Sequence, residues 1–110
     1  DIIAIQQFVD NVFVSDKVFE YVAKLAVATR EHPFVKLGLS PRGTIALARM
    51  AKATAFLKGR NYVIPDDVLY TINDVVMHRI ILNSKAKVNN VGAEEIIKGV
   101  VAKVPVPRID

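Results

Sequence analysis

The sequence predicts an all-α fold, a small bundle of about four to five helices, with a very short extended segment near Tyr62-Val63-Ile64. Three observations predict it. Apolar residues recur at helical spacing in several separate stretches, the pattern of helices that each bury one face. Helix-start chemistry precedes those stretches: Ser15, then Ser40 with Pro41, then Pro65 with two aspartates. Stop signals follow them, namely Pro33, Gly59, Pro105 and Pro107.

The spacing of Ile2, Ile5, Phe8 and Val9 predicts a short first helix ending near Asn11, and Ile2, Ile3 and Ile5 read as interior residues. Ser15 caps a second helix in which Val18, Tyr21, Val22, Leu25, Ala26 and Thr29 share a face and Asp16 lies in the favourable first turn. It stops around Glu31, because Pro33 pushes the residue before it out of the helical region. His32 to Leu39 is a linking loop. The third helix runs from Pro41 to about Lys58, and its many alanines suit close helix packing. Pro65 opens a fourth, with Asp66 and Asp67 as helix-start charges, a pause near Asn73 and a continuation through Arg79. Ile80-Ile81-Leu82 is either the end of that helix or a short strand; Asn83 to Val91 is polar and turn-like. In the last helix Ala93, Ile96, Ile97, Val100, Val101 and Val104 keep a 3.6 period, and Glu94 precedes Lys98 by one turn.

The 110 residues are expected to form one domain able to bury a core without disulfides or metal. With 52% apolar and 24% charged residues the composition is that of an ordered globular protein. There is no cysteine, which excludes a disulfide framework, a thiolate zinc site and a cysteine nucleophile, and points to the cytoplasm. No charge-free stretch exceeds about eight residues, against the roughly 20 that a membrane span needs. Because position 1 is Asp and helical patterning starts at once, the sequence reads as a piece of a longer protein.

The net charge of +4 is unevenly spread: Arg42, Arg49, Lys52, Lys58 and Arg60 fall in one stretch without an acid. Such a stripe suits phosphates, or is a solvated basic face. Within it, Ser40-Pro41-Arg42 places a guanidinium on the first turn of a helix, where unpaired amides and the helix dipole favour anions. Arg42 is thus a candidate phosphate reader; a solvated surface arginine is the alternative.

Other chemistry is scarce. No G-x-x-x-x-G-K-[ST] loop and no Rossmann glycine fingerprint occurs, so the chain does not hold a nucleotide's phosphates in either manner. His32 and His78 are the neutral-pH bases, without a G-x-S-x-G or H-E-x-x-H motif beside them. Asp74 and His78, four apart, are too few for a metal site and read as a hydrogen-bonded pair. No metal site is expected.

Four segments together resemble the C-terminal lid of MoxR-type AAA+ ATPases: Ala28-Thr29-Arg30-Glu31-His32-Pro33, Leu37-Gly38-Leu39-Ser40-Pro41-Arg42-Gly43, Gly59 through Val68, and His78-Arg79-Ile80-Ile81-Leu82. The closing Val104-Pro105-Val106-Pro107 is similar to the end of many members. The resemblance implies that residues 1–110 are a helical lid whose N-terminal P-loop core is absent from this chain. It implies that Arg42 is the sensor 2 arginine, acting in cis or in trans, with Ser40, Pro41 and Arg42 at the nucleotide. ATP and magnesium would be bound by the missing core and neither by this chain alone, which has no expected activity of its own. The implied partners are that core, neighbouring subunits of a homo-oligomeric ring, and proteins with von Willebrand A-type domains, in a chaperone-like remodelling ATPase; neither a membrane nor nucleic acid is expected. Two positions depart from the pattern. Gly43 stands where members usually have Ala, which implies a first turn looser by under about 1 kcal/mol, and Ile64 stands where Thr or Ser would cap.

Two rival readings remain at this point. The basic helix with Gly59-Arg60 and Pro65-Asp66-Asp67-Val68 echoes the end of a histone fold, a DNA-binding module, although that fold needs a longer central helix than Pro41 to Lys58. The other is a purely structural interaction bundle.

Overall fold

A computed structural model describes residues 2–108, with Ile2 and Gln6 described by their backbone only. Its elements are α1 (Ile2–Asp10), α2 (Asp16–Glu31), β1 (Val35–Leu37), α3 (Pro41–Leu57), α4 (Pro65–Val76), β2 (Ile81–Leu82), α5 (Ser84–Val88) and α6 (Ala93–Lys103). The fold is an all-helical bundle with one minimal sheet. α3 and α4 pack most extensively, α1 and α2 lie against α3, and α6 fills the side between α2 and α4.

Local chemistry sets the boundaries. Ser15 Oγ accepts the Val18 amide and caps α2, whose six predicted core residues are all buried. Fully buried Leu25, Leu47, Ile96 and Ile97 anchor the centre, each worth about 1.5–3 kcal/mol on removal from water. Gly59, at φ 82°, ends the turn after α3 in the left-handed region that glycine adopts without strain. The Tyr62-Val63-Ile64 stretch is extended: Phe13 and Tyr62 form an isolated parallel bridge, with Phe13 N–H donating to Asn61 O at 2.8 Å and Val63 N–H to Phe13 O at 2.9 Å.

Five expectations are corrected. The His32–Leu39 link contains β1, which pairs antiparallel with β2 and so resolves Ile81-Leu82 as strand, with Ile80 just outside it. A strand pair this short leaves no periodicity to read. Residues 83–91 hold α5, started by Asn83, whose Oδ1 accepts the Ala86 amide while its Nδ2 donates to Pro33 O. α4 does not pause at Asn73; it runs unbroken to Val76 and leaves the helical form before His78. Ile3 and Ile5 are exposed rather than interior, while α1 is held to α3 partly by Phe8 stacked on Phe56 at 6.3 Å; the side chain of Ile2 lies outside the described residues. Among the described residues Glu94 and Lys98 form no ion pair, whereas Glu20 and Lys24, at the same spacing, do at 3.0 Å.

Candidate functional site

The turn before α3 is built from side chains of α2. Thr29, buried, donates its hydroxyl to Ala26 O at 2.6 Å and accepts the Leu39 amide at 2.9 Å. The next residue, Arg30, donates Nε–H to the Leu39 carbonyl at 2.8 Å. Both backbone groups of Leu39 are therefore held by neighbouring side chains, and the wholly buried Leu39 side chain fixes the residue from its third side. The approach is close enough to require glycine: a Cβ on Gly38 would stand 2.6 Å from Arg30 Cα.

From this fixed point the chain turns into α3. Ser40 is extended and its Oγ accepts the Gly43 amide at 3.1 Å, Pro41 takes the first helical position and Arg42 the second. Thr44 N–H is taken by Ser40 O at 2.8 Å and Pro41 has no N–H, so the Arg42 amide is the one left without a partner in this turn among the described residues. The Arg42 side chain is exposed and pairs with no carboxylate among them.

Arg42 lines an open cleft of about 630 Å³ whose apolar lining includes Leu37, Leu39 and Ala46 and whose charged groups are Arg30, Arg42 and Arg79; no acid lines it. Arg79, just beyond α4, donates one N–H to Val75 O at 2.9 Å and lays its stem against the start of α3. Gly43 is buried there because a Cβ would meet Leu39 Cδ1 at 2.4 Å and Arg79 Cδ at 3.4 Å. An alanine at position 43 would therefore need the Leu39 side chain to shift.

The predicted site residues Ser40, Pro41 and Arg42 all reach this cleft. Sequence reading missed Arg30 and Arg79 as its other cations and Thr29 as a brace. A polar threonine on the core-facing side of α2 was the available signal for the brace.

The rest of the basic stripe is dispersed. Lys52 Nζ reaches Asp10 O, Lys58 lies 5.1 Å from the Tyr70 ring centroid, and Arg60 grips Asp67 with two bonds of 2.7 and 2.6 Å. Asp67 is a helix-start charge as expected, but a fully buried one, and its Oδ2 also accepts the Ile64 amide at 2.8 Å. That bond is the half of a capping box supplied from the third helical position; the other half, a side-chain acceptor at position 64, is missing. Burial pushes the Asp67 carboxyl up, but the Arg60 hydrogen bonds, the Ile64 amide and the charges of Arg60 and Lys58 outweigh it and hold it below the usual carboxylate range. Asp74 and His78 are both exposed and share no hydrogen bond.

The described residues thus form a helical bundle with a cationic cleft at one helix start, and among them no group of three or more His, Cys, Asp and Glu side chains is placed to hold a metal ion. Comparison with known proteins gives the family. The AAA lid domain model matches residues 27–100. The chain is 43% identical over 97% of its length to the uncharacterized protein YeaC of Bacillus subtilis, covering 33% of it, and 31% identical over its whole length to the chaperone MoxR1 of Mycobacterium tuberculosis, covering 32%. A crystal structure from Cytophaga hutchinsonii, provisionally designated an ATPase, superposes with a TM-score of 0.86 at 32% identity over 93% of this chain and 34% of that one. The chain belongs to the AAA lid domain family, among its MoxR-like members. It spans about a third of the length of the relatives it matches. No helix among the described residues is long and apolar enough to cross a membrane.

Proposed function

We propose that this lid closes over the nucleotide site of an AAA-type P-loop core in the same protein, and that Arg42 is the sensor 2 arginine that contacts the terminal phosphate of ATP. The observation that carries the reading is the position of Arg42: second residue of α3, exposed, beside an unpaired amide, in a cleft with two more arginines and no carboxylate. These residues fit a phosphate. Guanidinium donors match its oxygens, and the apolar lining strengthens their electrostatic pull.

ATP and magnesium belong, on this reading, to the core, and the lid supplies a cation. Bound nucleotide would present a terminal phosphoryl group whose transfer spreads negative charge over its equatorial oxygens and onto the departing bridging oxygen. Arg42 donates to it and lowers the cost of that charge, while the pinned Leu39 keeps the helix start from drifting. Lid position thereby reports whether the terminal phosphate is present, the coupling needed by a ring-shaped, chaperone-like remodelling machine in the cytoplasm. The name of the mycobacterial relative supports that role. The core, adjacent subunits of the ring and von Willebrand A-type proteins are the proposed partners. The deciding experiment is ATP turnover and nucleotide-dependent assembly of the full-length protein carrying Arg42→Ala; if neither changes, the role fails.

The DNA-binding alternative is not favoured. α3 has 17 residues, too few for the central helix of a histone fold, and Arg60 is committed to Asp67.

A further inference from the structure

Two arginines approach the chain around the start of α3. Gly38 admits the backbone and stem of Arg30 at distances that a Cβ would obstruct, and the stem of Arg79 lies at ordinary contact distance from the site of a Cβ on Gly43. Arg30 spends its Nε–H on the Leu39 carbonyl and Arg79 spends one N–H on Val75 O. A guanidinium carries five N–H donors. The remaining donors of both have no partner among the described residues, neither arginine pairs with a carboxylate there, and both line the cleft that holds Arg42. Three cations drawn from α2, α3 and the turn after α4 line one cleft, and no acid among its lining residues offsets their charge. A ligand with several adjacent negative charges does.

We propose that Arg30 and Arg79 are phosphate-contacting residues and that, with Arg42, they form a three-guanidinium cradle for the polyphosphate of the nucleotide, not for its terminal phosphate alone. This deepens the reading of Arg42 and rests on it. Arg30 has a second task, because the same side chain fixes Leu39, so Arg79 gives the cleaner test.

In the full-length protein, ATP affinity is measured for wild type, Arg79→Met and Arg79→Lys, with inorganic tripolyphosphate as competitor. Methionine keeps the stem over Gly43 and loses the charge; lysine keeps both. The cradle requires Arg79→Met to weaken ATP about tenfold or more, at the level of a lost hydrogen bond to a charged group. Tripolyphosphate, which has neither base nor ribose, should compete less well by a similar factor, and Arg79→Lys should recover most of the loss. ATP and tripolyphosphate binding by Arg79→Met at the wild-type level would overturn the proposal. Should that occur while Arg42→Ala still impairs turnover, the cradle fails and the role of Arg42 stands; loss of both effects removes both readings. Equal melting temperatures of the Met and Lys variants verify that the difference reports charge rather than folding.

Discussion

Arg30 Nε donates to the carbonyl of Leu39 at 2.8 Å, nine residues along the chain, while adjacent Thr29 accepts the amide of the same leucine. The end of α2 thereby holds the residue that precedes Ser40-Pro41-Arg42. Replacing Thr29 by Val keeps the volume and leaves the buried Leu39 N–H without an acceptor, a loss of about 1–3 kcal/mol. Chemical denaturation measures it, and an unchanged midpoint and slope would show that Thr29 is no brace.

Helix propensity and packing make opposite predictions at the glycines. Gly99 lies exposed within α6 with open space around its missing Cβ, so Gly99→Ala should stabilise by about 0.5–1 kcal/mol. Gly43→Ala gains the same helical preference but drives a methyl against buried Leu39, and overpacking of this kind costs about 1–3 kcal/mol. Melting curves of the two variants should therefore move in opposite directions.

The Arg60–Asp67 pair ties the loop after α3 to the start of α4, and its two halves are not equivalent. Asp67 is fully buried, whereas the Arg60 side chain keeps 20% of its exposure. Arg60→Met strands a buried carboxylate and should cost about 3–5 kcal/mol at neutral pH. Asp67→Asn leaves a cation that water can reach, and should cost less. In the wild type the Asp67 carboxyl is held low, so its contribution is complete above the unfolded value of about 4 and is lost as pH falls through the lower folded value. In Arg60→Met the Ile64 amide and the charge of Lys58 still oppose burial but the Arg60 hydrogen bonds are gone, so the stability gap between that variant and wild type should narrow as pH falls from 7 through the carboxylate range. Urea titrations across this range check the sign.

Much of this architecture is legible in the sequence because helices declare themselves locally. Ser15 and Ser40 act as the caps their positions predict, and the core face of α2 is the one its spacing marks. What the sequence conceals depends on distant pairing. β1 and β2 are two or three residues long and exist through each other and through Asn83, 50 residues from the Pro33 carbonyl it binds. Asp67 looks like any acid in a first helical turn until Arg60 folds over it. At the candidate site Arg42 is visible through its cap and proline, whereas Arg30 and Arg79 join it only by tertiary approach across Gly38 and Gly43.

The central claim is that Arg42 acts on the nucleotide, and the most direct measurement is steady-state ATP hydrolysis by the full-length protein with Arg42→Ala beside Arg49→Ala. Arg49 is exposed on the same helix, outside the cleft, and removes an equal charge. Arg42→Ala should lower kcat at least tenfold, about 1.4 kcal/mol of transition-state stabilisation, with Arg49→Ala close to wild type. Equal turnover by Arg42→Ala and wild type would contradict it.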